Sequence, residues 1–95
     1  MGQFARPAAA KVSHQVAQYF FDLRSGDTFS KDNFGIELPD AEAAHDMALG
    51  ALVDAARDAV MEGTIDQRFA VEVRIGTGRI LEVGAVFHSR IFRRH

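Results

Sequence analysis

The sequence predicts a two-layer α+β fold of order β-β-α-β-β, a four-stranded antiparallel sheet covered on one face by one long helix. Three observations carry that expectation. Four segments alternate apolar and polar residues with the period of a strand, and one long segment repeats its apolar residues at helical spacing. Two glycine-bearing turns, Ser25-Gly26-Asp27 and Gly76-Thr77-Gly78, separate neighbouring strand segments. At 95 residues and 10.4 kDa the chain is one domain. Size scaling lets it bury only about 65% of its unfolded surface, so a second copy would add stability.

The first strand is expected from Gln18 to Arg24, with Tyr19, Phe21 and Leu23 on one face and Phe20, Asp22 and Arg24 on the other. Phe34, Ile36 and Leu38 mark the second, and Gly35 inside it signals a bulge. Pro39 then biases Leu38 toward extended backbone, Asp40 is a good N-cap, and Glu42 favours the positive end of a helix dipole. The helix should run from Ala41 to Glu62 and stop at Gly63. The third strand covers Arg68 to Ile75. The fourth begins near Arg79, with Phe92 as its furthest end. A crossover through the helix puts the first strand between the second and third, giving the order 2-1-3-4. The inner face then carries Tyr19, Phe21, Leu23, Ile36, Leu38, Phe69, Val71, Val73, Leu81, Val83 and Phe87, while the outer face is mixed and wet. Residues 18–92 form the domain, 1–17 a flexible extension with a short helix opening at Pro7, and 93–95 a basic tail.

The helix has two apolar strips. Ala44, Ala48, Ala51, Leu52, Ala55 and Ala59 form a mostly alanine stripe that lets it lie close to a sheet. Leu49, Val53, Ala56 and Val60 widen the apolar surface past a half-circle, more than capping one sheet requires. Three readings stand: the chain's own termini cover this second strip, it is the contact of a homodimer, or it is the ordinary scatter of exposed apolar residues.

Chemistry is thinly represented. The absence of cysteine excludes disulfides, thiolate metal sites and cysteine nucleophiles. No apolar run approaches a membrane span. His14, His45, His88 and His95 lack the spacing of a metal site, and Asp27 and Asp32 read as turn formers without a calcium-loop pattern. Ser13, Ser25, Ser30 and Ser89 show no nucleophile elbow, and Gly76-Thr77-Gly78 lacks the lysine of a phosphate loop. No catalytic residue, metal ligand or cofactor is expected.

Charge is distributed unevenly. Residues 40–62 hold Asp40, Glu42, Asp46, Asp54, Asp58 and Glu62 against Arg57 alone, whereas residues 63–95 are net basic. Opposite fields on two parts of one chain suit pairing between copies. Arg90, Arg93 and Arg94, interleaved with Ile91 and Phe92, are the candidates for a nucleic-acid contact, though the overall charge of −2 opposes it.

Tyr19-Phe20-Phe21-Asp22-Leu23-Arg24, followed by Gly26, Asp32, Gly35 and Glu37-Leu38-Pro39-Asp40, resembles a small domain-of-unknown-function family of rhizobia and related alphaproteobacteria. Glu42-Ala43-Ala44, Val71-Glu72-Val73-Arg74 and Gly78-Arg79-Ile80-Leu81 fit the same pattern, over about residues 18–87. The resemblance implies a short cytoplasmic bacterial protein and carries over no catalytic residue. The wide apolar helix surface, the split charge and the lack of a convergent catalytic set together point to a non-enzymatic interaction or regulatory module that forms a homodimer and binds another, unknown protein. The alternative is a nucleic-acid-linked regulator such as a HicB-type antitoxin, by analogy of fold alone.

Overall fold

The computed structural model describes residues 16–63 and 66–93. Of the features expected from the sequence, the Pro7 helix, His14, Arg94 and His95 lie outside the described residues. The elements are β1 (Ala17–Ser25), β2 (Thr28–Ser30), β3 (Ile36–Leu38), α1 (Ala41–Met61), β4 (Gln67–Ile75) and β5 (Gly78–Phe87). They build the expected α+β unit, an open antiparallel sheet with one helix on it. β2 and β3 lie one after the other along the same flank of β1, β4 lies on its other flank, and β5 is outermost beyond β4.

Among the described residues the sheet therefore has five strands where the sequence predicts four. The second hairpin arm is interrupted between Ser30 and Ile36. The cause is Asp32, whose carboxylate accepts the Phe21 N–H at 3.0 Å, standing in for the carbonyl a continuous strand would offer. Its other oxygen accepts the N–H groups of Phe34 at 2.9 Å and Gly35 at 3.1 Å, which folds residues 31–35 into a tight loop. Gly35 itself has φ of 72°, and a Cβ there would stand 2.8 Å from the Phe20 ring and 2.9 Å from Gln18. Both the backbone angle and the close approach exclude a side chain.

α1 begins where the sequence predicts. The Asp40 carboxylate accepts the Ala43 N–H at 2.8 Å, and Glu42 lies in the first turn. The helix ends at Met61, one residue early, with Gly63 in the left-handed region at φ of 96°. It lies chiefly over β4 and β5. Ala44, Ala48, Leu52, Ala56 and Ala59 face Tyr19, Phe69, Val71, Val73 and Val83. The sheet supplies the volume and the helix the closeness. Val71 and Val73 are fully enclosed, and each contributes about 1.5–3 kcal/mol by leaving water.

Two residues assigned to the core lie at its rim. Ile36 is 42% and Phe87 38% exposed. Both stand at the ends of outermost strands, where fewer neighbours cover them. Phe87 still meets Phe69 edge to face at 5.7 Å. β5 stops at Phe87, short of Phe92, and the Ser89 N–H just beyond it is taken by the Asp66 carboxylate at 3.1 Å instead of a ladder carbonyl.

Two substitutions in α1 separate closeness from propensity. Ala48→Leu should destabilise the fold by about 1–3 kcal/mol through overpacking. Gly50→Ala, with open space around it, should stabilise by about 0.5–1 kcal/mol. Thermal denaturation of both variants measures the two shifts.

Candidate functional site

Strand alternation sends Phe20, Asp22 and Arg24 of β1 and Arg68, Ala70, Glu72 and Arg74 of β4 to the face opposite the helix. Register sets Phe20 beside Arg74, Asp22 beside Glu72, and Glu72 beside Glu82 of β5. This face was expected to be wet, yet Asp22 is only 5% exposed. The difference arises because Arg74 and the loop behind β2 close over it. Arg74 Nε donates to Asp22 Oδ2 at 2.8 Å, Nη2 to Asp22 Oδ1 at 3.4 Å and to the Asp32 carbonyl at 2.8 Å, and Nη1 to the Gly76 carbonyl at 2.7 Å. The guanidinium stacks over Phe20, 4.6 Å from the ring centroid. Asp22 Oδ1 also accepts the Asp32 N–H at 2.9 Å.

This cluster resembles an active site in being buried and charged, but its groups are turned toward one another. Each carboxylate accepts three N–H groups from the chain, Asp22 from Arg74 twice and Asp32, and Asp32 from Phe21, Phe34 and Gly35. Its chemistry is positional: it joins β1, β4, the 31–35 loop and the β4–β5 turn. The neighbouring charges are looser. Arg79 reaches Glu72 at 3.4 Å, and Arg24 stacks on Phe29 at 4.9 Å.

On the helix side, the structure separates the four strip residues. Leu49, Val53 and Val60 are 41%, 55% and 47% exposed and lie in one line along α1. Ala56 belongs to the core, because its position on the wheel faces β5 and its one carbon is covered. It forms the floor of a groove of about 240 Å³ with Leu52, Val53, Arg57, Ala85 and Phe87. The strip thus borders the outermost strand β5 and continues into an apolar groove. Sequence periodicity finds the strip but not the groove, which depends on where the helix sits over the sheet.

The remaining candidates are dispersed. Arg90 and Arg93 lie on an exposed segment after β5, Arg90 stacked on Phe92 at 5.7 Å. Ile91 and Phe92 are largely exposed. His45 and His88 are exposed, 3.7 Å from Asp46 and 3.8 Å from Asp66. Asp27 and Asp66 line a wide, open depression with Glu62. Among the described residues no group of three or more His, Asp or Glu is placed to hold a metal ion. Nor, among them, is any helix long and apolar enough to cross a membrane.

A family model described as a domain of unknown function (DUF6894) matches residues 18–87, which includes every strand but for its terminal Ala17, and the whole of α1. Comparison with curated proteins and with solved structures returned no match.

The buried pair has a pH signature. Burial alone would raise the Asp22 carboxyl, but the Arg74 hydrogen bonds, the Asp32 N–H and the Arg74 charge outweigh it and hold it below the ordinary aspartate value. Asp32 is likewise held low against burial, by the N–H groups of Phe34, Phe21 and Gly35. Both carboxylates therefore bind protons less readily folded than unfolded. Their contribution is present above the unfolded value of about 3.9 and is lost as pH falls through the folded values. Acid titration of stability should show a loss below about pH 4 that is smaller in Asp22→Asn. Arg74→Ala, which strands a buried carboxylate, should cost about 3 kcal/mol in chemical denaturation.

Proposed function

The chain belongs to this family of domains of unknown function, and we propose that it works as a non-enzymatic protein-interaction module that forms a homodimer in a bacterial cytoplasm. One observation carries the reading: the line of Leu49, Val53 and Val60, exposed beside an apolar groove at the sheet edge. Three aliphatic side chains in register, each nearly half or more in water, forgo stabilisation that contact with another apolar surface would recover. The small helix face supports the same reading. Alanines bury little area inside the domain, so a domain of this size gains from burying more between copies.

The charge distribution supports self-pairing over a generic partner. α1 is acidic and the segment from Gln67 onward is net basic, so two copies attract each other through unlike regions. Regulation of another protein would then depend on the dimer as the binding unit.

Light scattering across concentration tests the reading. The protein should be a dimer at high micromolar concentration. Val53→Asp should weaken the dimer at least tenfold, about 1.4 kcal/mol or more, while leaving the monomer folded, since Val53 faces solvent there. A strict monomer, unchanged by this substitution, contradicts it.

A further inference from the structure

The two borders of the sheet differ. Along the β2/β3 border the strands are three residues long, broken by the Asp32 loop and followed by Pro39. Such a border presents no continuous row of backbone groups. β5 on the other side is ten residues long and contains no proline or lysine. A register shift at Val73/Arg74 leaves Ile80 as an extra residue, so pairing with β4 is regular from Leu81 to Phe87. Just beyond Phe87 the Ser89 N–H bonds the Asp66 carboxylate, and among the described residues no strand pairs with the outer border of β5.

We infer that β5 pairs antiparallel with β5 of a second copy, about a two-fold axis through Gly84, to make one continuous sheet across the dimer. This rests on the self-association read above and adds a second surface to it. The regular run decides the register, because only a centre at Gly84 lets all of Leu81–Phe87 pair with itself. On the helix face Leu81 meets Phe87 of the second copy, and Val83 meets Ala85. On the outer face Glu82 meets Val86, and the axis passes where there is no side chain. A centre at Glu82 would set two carboxylates against each other, which is destabilising.

The helices agree with this placement independently. A two-fold normal to the sheet keeps both helices on one face and makes them antiparallel. With strands about 4.8 Å apart and α1 over β4 and β5, the two helix axes stand roughly 10–14 Å apart, close to a helix diameter of about 10–12 Å. Val53 and Ala56 line the groove with Ala85 and Phe87, next to the axis, and they are also the middle of the strip. Leu49 of one copy is then set toward Val60 of the other. The strand pairing and the strip therefore select the same two-fold, and the groove closes at its seam.

Disulfide trapping in the cysteine-free full chain tests the register. Glu82 and Val86 are exposed, so Glu82→Cys/Val86→Cys should fold, which its melting curve verifies. Directly opposed residues have Cα atoms about 4.5–5.5 Å apart, within disulfide range. The double variant should oxidise to a covalent dimer in high yield, whereas Glu82→Cys alone and Val86→Cys alone should remain uncrosslinked. If light scattering shows a dimer and the double variant does not crosslink, edge pairing is overturned and the helix-strip contact stands. If the protein is a monomer at all concentrations, both fail, and the strip is covered by this chain's own termini or by a different protein.

Discussion

The contact on which the rest of the sheet depends is the buried pair of Asp22 and Arg74. Two charges taken out of water lose hydration that their mutual attraction only partly returns, so the pair is not a simple source of stability. What it supplies is position. Once Asp22 is inside, only an arrangement that gives it Arg74 and the Asp32 N–H avoids a stranded charge. Arg74 in turn needs carbonyls, and it takes them from Asp32 and Gly76. The alternatives in register would leave one of these groups bare, at a cost of several kcal/mol. The pair therefore fixes β1 against β4 and holds the 31–35 loop in place.

That loop gives the sheet its asymmetry. With Asp32 in the ladder, the border beyond β1 is cut into two short pieces and cannot template another chain. The helix, resting on alanines over β4 and β5, leaves the opposite border both regular and flanked by apolar side chains. One device thus protects one border of the sheet, and among the described residues no loop interrupts the other from Leu81 to Phe87. A functional reading in terms of assembly follows from this contrast, since a long unguarded strand is a hazard unless it has an intended occupant.

Much of this was legible in the residues. Asp40, Glu42 and Gly63 mark the ends of α1, and the two-residue periods of β1, β4 and β5 assign their faces correctly. The strand order follows from the crossover. What the pattern could not convey was the interior of the outer face. Alternation places Asp22 outward, and an outward aspartate reads as solvated. Its burial depends on Arg74, fifty-two positions away, and on a loop returning over it. The signal that was present is Phe20 beside Asp22, an aromatic next to a charge on a face assumed wet, with Arg74 opposite once the register is known. Gly35 signals a bulge, but the interruption comes from a side chain three residues earlier, that of Asp32. Ile36 and Phe87 point inward as their period predicts and yet lie at the rim, because period reports direction and not depth. Ala56 shows the converse, a strip residue by angle and a core residue by contact.

Amide hydrogen exchange, followed segment by segment from low to high micromolar concentration, tests the whole account, the proposed dimer included, most directly. The amides of Phe21, Asp32, Phe34 and Gly35 should be protected at every concentration, while the stretch from Leu81 to Phe87 gains protection as concentration rises. Exchange of the 31–35 loop at the rate of an open turn, or a β5 whose protection never changes, would contradict it.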